Sequence, residues 1–221
     1  MWLFNSSIGR KLVMSLSGLF LILFLTFHLA MNLVAVFSAE GYNMVCEFLG
    51  ANWYALVGTL VLALGFAIHI VYAFWLTIQN RKARGNDRYA VVAKPKHVEW
   101  ASQNMLVLGI IIVVFFILHL AQFWYKMQFN EIAGLDLPGV DPHDGYQLIV
   151  ETFSNPLFVI LYLIWFVAIW FHMTHGFWSS IQTIGWNNNI WLSRWKTISN
   201  IYATIVCVGF AFIAIYFSFI A

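Results

Sequence analysis

The chain has 221 residues, of which 62% are hydrophobic, 19% aromatic and only 9% charged. A soluble domain carries roughly a quarter charged residues, and this one lacks the polar surface to cover a core. Soluble globular, disordered, collagen-like and coiled-coil classes are therefore excluded. The net charge of +2, with no basic cluster interleaved with aromatics, gives nucleic acid nothing to bind.

An α-helix needs about 20 apolar residues to cross the hydrocarbon layer. Five stretches qualify, at about 12–37, 52–78, 101–125, 156–182 and 198–220, and none contains an Asp, Glu, Lys or Arg. Barrel strands would be much shorter. The expected architecture is an all-α integral membrane protein, a single five-transmembrane-helix bundle. The first span follows Arg10-Lys11 and shows no small-residue cleavage site, so it reads as a span rather than a signal peptide.

The flanking charges orient the bundle. Arg10, Lys11, Arg81, Lys82, Arg84, Arg88, Lys94, Lys96, Arg194 and Lys196 fall on one side, and Lys126 alone on the other. By the positive-inside rule the basic side is cytoplasmic, with the N-terminus inside and the C-terminus outside. Glu40, Glu47, Glu131, Asp136, Asp141, Asp144 and Glu151 lie opposite. The segment from about 126 to 155, with GLDLPGVDPHDG, carries turn chemistry and is expected to fold over the outer face. The basic loop RKARGNDRYAVVAKPKHVEW suits either lipid headgroups or a soluble partner. Cys46 and Cys207 form no CxxC, zinc or CxxCH pattern.

Five of the seven histidines lie within the spans: His28, His69, His119, His172 and His175. Ionisable groups at that depth are costly and usually functional. Counting residues from the inner end of each helix at 1.5 Å per residue sorts them by level. His28 and His119 lie roughly 25–29 Å from the inner end. His69 and His172 lie roughly 18–21 Å from it. Two stacked imidazole pairs in an apolar bundle suit bis-histidine haem b, which carries electrons and leaves no open position for oxygen. Gly58, Gly65 and Ser17 near the first ligands, and Gly176 and Ser179 after His172, would let a flat macrocycle approach, or simply let helices pack. Zinc or copper would want its ligands at one level. No carboxylate lies in a span to serve a proton relay or sodium site. His97 and His143 read as solvated loop residues.

The runs RKLVMSLSGLFLILFLTFHLAMN and FHMTHGFWSSIQTIGW, with the five-helix layout, resemble the dihaem cytochrome b membrane-anchor subunit of succinate dehydrogenases and fumarate reductases. The likeness extends over essentially the whole chain. It implies a distal haem between His28 and His119 and a proximal haem between His69 and His172, with His175 the rival ligand one turn further in. It further implies a flavoprotein subunit and an iron–sulfur subunit on the cytoplasmic face of a bacterial inner membrane. Electrons would pass between these and a membrane quinone, menaquinone being the expectation for the dihaem type. This chain has no dinucleotide fingerprint or cysteine cluster of its own. The resemblance places a carboxylate near the start of the second span, where Glu47 is the nearest candidate quinone-site proton group, with Tyr42 and Asn43 beside it. Some relatives carry a glutamate two residues before the fourth-span ligand; here that residue is Trp170. The alternatives are a haem b subunit of a formate dehydrogenase or hydrogenase type, and a haem-free anchor or transporter.

Overall fold

The computed structural model describes residues 6–84 and 99–220, and it is all-helical. Helix α1 spans Ser7–Phe37, α2 Ala39–Phe48, α3 Trp53–Arg84, α4 Trp100–Gln103 and α5 Met105–His119. A π-helical segment, Leu120–Phe129, continues α5 into α6, Asn130–Ala133. Then come α7 Gly145–Phe153, α8 Pro156–Thr183 and α9 Trp191–Ile220. Among the described residues five helical stretches are long and apolar enough to cross a bilayer: α1, α3, α5 through α6, α8 and α9. This is a multi-pass membrane protein.

Side chains with short polar tips set where the helices begin. Ser6 Oγ accepts from Gly9 N at 2.9 Å to start α1, and Ser38 Oγ accepts from Gly41 N at 2.9 Å to start α2. Asp144 caps α7 through Gln147 N at 3.0 Å. Asn155 caps α8 through Leu157 N at 3.0 Å, with Pro156 in the first turn where its missing N–H costs nothing. Asn188 Oδ1 accepts from Ile190 N and Trp191 N and so starts α9 seven residues before the expected 198. At its other end α3 runs on to Arg84, past the expected 78, because Gln, Lys and Arg are good helix formers in water.

Two further expectations need correction. The third span is not one helix from 101 to 125. It breaks at Asn104, whose backbone leaves helical geometry, and then runs through the π-helical turn to Ala133, where Gly134 ends it at φ +60°. The 126–155 segment is accordingly largely helical, with a true connection only between Gly134 and Asp144. Most of the basic loop suited to lipid headgroups or a soluble partner, including Arg88, Lys94, Lys96 and His97, lies outside the described residues.

Helix α8 is the hub. Of its most apolar 18-residue window 44% is buried, against 6% for α3, which faces outward along most of its length. Helix α9 packs along α8 and α1, burying Ala203, Ala214 and Phe217 completely. The other four long helices form a ring in which α1 meets α3, α3 meets α5, α5 meets α8 and α8 meets α1. Across the ring, α1 and α5 make at most a marginal backbone approach, and so do α3 and α8. The ring thus has two open diagonals.

Candidate functional site: two histidine pairs on the diagonals

The histidines occupy those diagonals. His28 on α1 and His119 on α5 bring their ring centroids to 5.8 Å, with planes inclined at 87°. His69 on α3 and His172 on α8 meet at 6.2 Å and 72°. Edge-to-face packing of rings covers the same distances. The origin of the rings separates the two readings, because each pair reaches across a gap between helices that make at most a marginal backbone approach. A direct N–H···N bond would hold the centroids nearer, at ~5 Å. Two in-line metal–imidazole bonds of about 2.0 Å, with the ring radii added, place the centroids ~6.3 Å apart. Both centroid distances lie nearer this value than that of a direct hydrogen bond. Among the described residues no three His, Cys, Asp or Glu groups converge.

The levels can be measured against α1 and α5. Ser17 Oγ lies 3.2 Å from His69 Nδ1, and it stands eleven residues before His28 on α1. A Cβ on Gly109 would lie 4.0 Å from His172 Cε1, and Gly109 stands ten residues before His119 on α5. At 1.5 Å per residue these give a separation of ~15–16 Å between the pairs. The pair nearer the end that carries Arg10, Arg81 and Lys196 is here termed inner.

Hydrogen bonds favour one tautomer of one ring in each pair. With the Ser17 hydroxyl donating to Met14 O at 3.0 Å, its oxygen is left to accept from a proton on His69 Nδ1. Tyr162 donates to Gln122 Oε1 at 2.9 Å, so its oxygen accepts from His119 Nδ1 at 3.3 Å. In both rings Nε2 is left with a free lone pair, the form in which imidazole binds metal. Asn32 Nδ2 donates to His28 O at 2.8 Å and lies 3.4 Å from His28 Nδ1, and Tyr42 donates to Asn32 Oδ1 at 3.1 Å. His172 Nδ1 is buried with no hydrogen-bond partner among the described residues.

His175 takes a different position. Its Nδ1 lies 3.6 Å from Glu99 Oε2, outside hydrogen-bond range, and its ring meets Trp178 edge-on at 4.9 Å. Glu99 also pairs with Lys196 at 2.8 Å, and Lys196 lies over the Trp178 ring. Partial burial works to raise the Glu99 pKa, but the hydrogen bond and charge of Lys196, with His175 close by, outweigh it and hold the carboxyl below its ordinary value. Glu47 sits on the exposed face of α2, and its carbonyl accepts from Asn52 Nδ2 at 3.1 Å. Tyr42, on the same helix, reaches the outer pair through Asn32.

The small residues divide. Gly65 does not make room for a cofactor: a Cβ there would lie 2.5 Å from Phe20 Cε1, so it serves the approach of α3 to α1. Gly58 and Gly176 have nothing within 4 Å of a would-be Cβ. Gly18 lies tightest against a candidate ligand, since a Cβ there would be 3.3 Å from His69 Cε1. Sequence reading missed it, together with Asn32, Gln122 and Tyr162. The available signals were slight: Asn32 and Gln122 are amides one turn after a histidine in apolar helices, whereas Gly18 and Tyr162 meet their histidines from other helices. Compared with known proteins, the chain matches no family model, and neither a curated protein nor a solved structure is significantly similar to it.

Proposed function

We propose that this chain is the dihaem cytochrome b membrane subunit of a succinate:quinone oxidoreductase, either a succinate dehydrogenase or a fumarate reductase. One observation carries the electron-transfer part of this reading. Two histidine pairs bridge the two open diagonals of one helix ring, at metal-binding spacing and at two depths. His28 and His119 would hold the outer haem, and His69 and His172 the inner. A haem b held by two imidazoles supplies one-electron transfer without an open coordination position. The chain's part is to orient three of the four rings, through Ser17, Asn32 and Tyr162, and to keep water away from them. Phe24 stacks on His28 at 5.3 Å, and Phe210, Phe123 and Trp165 close around the outer pair.

The choice of succinate chemistry rests on the resemblance of the first and fourth spans. It implies flavoprotein and iron–sulfur partners at the basic face, menaquinone as the lipid-soluble substrate, and Glu47 as a proton group for it. The basic ends of α1, α3 and α9 would give the soluble subunits a cationic seat on the membrane.

The test is a reduced-minus-oxidised spectrum with the haem-to-protein ratio, for the wild type and for His28→Ala, His69→Ala, His119→Ala, His172→Ala and His175→Ala. Two b haems per chain are expected, with one lost or made five-coordinate in each of the first four variants and both kept in the fifth. A colourless wild type would return the protein to the anchor or transporter class. Two haems together with soluble partners that act on formate or hydrogen would keep the cytochrome and discard succinate.

A further inference from the structure

We infer that Tyr162, backed by Gln122, is a positioning residue for His119 that lowers the reduction potential of the outer centre. The inference rests on the dihaem reading and goes beyond it, because that reading asks of Tyr162 only that it orient a ring and gives Gln122 no part.

Tyr162 is 3% exposed, and its ring is wedged against Phe153, Trp165 and Phe166, so its oxygen has little freedom to move. A buried phenol needs partners on both sides in an apolar bundle. It has both, donating to Gln122 and accepting from His119. Gln122 is itself 9% exposed and sits at the start of the π-helical segment. The amide oxygen polarises the phenol, and the phenol oxygen draws on the imidazole N–H. That withdrawal makes the opposite nitrogen a stronger electron donor to a bound metal and favours the oxidised, more positive state.

The four rings are unequal in this respect. His69 has a single serine hydroxyl whose proton goes to a backbone carbonyl. His28 has the 3.4 Å approach of Asn32 Nδ2, a donor group on a half-buried amide that Tyr42 holds, and His172 Nδ1 has no partner among the described residues. His119 alone among the four is served by a chain of two buried side chains. Its second-sphere pull is accordingly the strongest, and it acts on the outer level.

The experiment is a spectroelectrochemical titration of the purified complex, comparing wild type, Tyr162→Phe and Gln122→Leu. The outer centre is identified as the one missing from His28→Ala. Tyr162→Phe keeps the ring and removes the acceptor, so two haems per chain are expected, with the outer midpoint shifted upward and the inner midpoint unmoved. Gln122→Leu leaves the phenol in place and should shift the outer midpoint the same way by less. Two haems with an unmoved outer potential in Tyr162→Phe overturns the role of Tyr162. If Tyr162→Phe loses the outer haem, an unmoved potential in Gln122→Leu overturns it equally. A wild type without haem overturns the functional reading itself, which separates the two failures.

Discussion

Phe66 and Phe116 stack with centroids 4.4 Å apart and planes inclined by 19°. Each stands three residues before a candidate ligand, Phe66 before His69 on α3 and Phe116 before His119 on α5. Because α3 and α5 run in opposite directions, the stack lies between the two levels. It also supplies contact where these two helices otherwise touch little.

A double-mutant cycle should show this pair as coupled. Phe66→Leu and Phe116→Leu, separately and together, are expected to give an interaction of about 0.5–1.5 kcal/mol in detergent unfolding. Simple additivity would mean that the stack is incidental. Both haems should survive in each single variant, because neither ring is a ligand.

Gly18 gives a sharper test of the inner level. A Cβ there already lies 3.3 Å from His69 Cε1 and 3.7 Å from Ser180 Oγ, so a full side chain must displace the imidazole. Gly18→Leu is expected to leave one haem per chain, the outer one. Gly176→Ala meets nothing within 4 Å and should keep two. Two haems in Gly18→Leu would show that the inner pair is not held as described.

The Glu99–Lys196 pair predicts an acid-side loss of stability. Burial alone would raise the Glu99 pKa, but its partners hold it below the unfolded value. The contribution is then complete above the unfolded carboxylate pKa of about 4.3 and disappears as pH falls through the folded value. With the carboxylate 37% exposed, screening limits the effect to about 1 kcal/mol. Thermal unfolding between about pH 6 and 3 should therefore fall more steeply for wild type than for Glu99→Gln. Parallel curves would leave the pair without a measurable part in stability.

The five crossings were readable because an apolar run of that length has one outcome in a bilayer. Their ends were not, because a helix continues into water for as long as its residues favour it. Arg84 and Trp191 show this at opposite ends. The π-helical turn at Leu120–Phe129 left no trace in hydropathy, since widening a turn by one residue does not alter which residues are apolar. The α7 helix was hidden by the Pro and Gly residues around its start, although Asp144 followed by GYQLIVETF carries a cap and an apolar run. Within the site, residue counts along helices placed the histidines by depth. They could not say which helices stand opposite each other, and so could not reach Tyr162 or Gly18. Those contacts come from other spans and exist only once the ring has formed.

The diagonal arrangement also orders the making of the protein. No hairpin of consecutive spans contains a complete histidine pair, so on the proposed reading neither haem site would have both ligands before the third span is in place. The outer pair is complete once the third span, with His119, has entered the membrane. The inner pair must wait for the fourth, with His172. A chain interrupted after the third span would carry one finished ligand pair and one bare histidine, His69. If the pairs hold the proposed haems, the centre closest to the basic face would be the last whose ligands are all in the membrane.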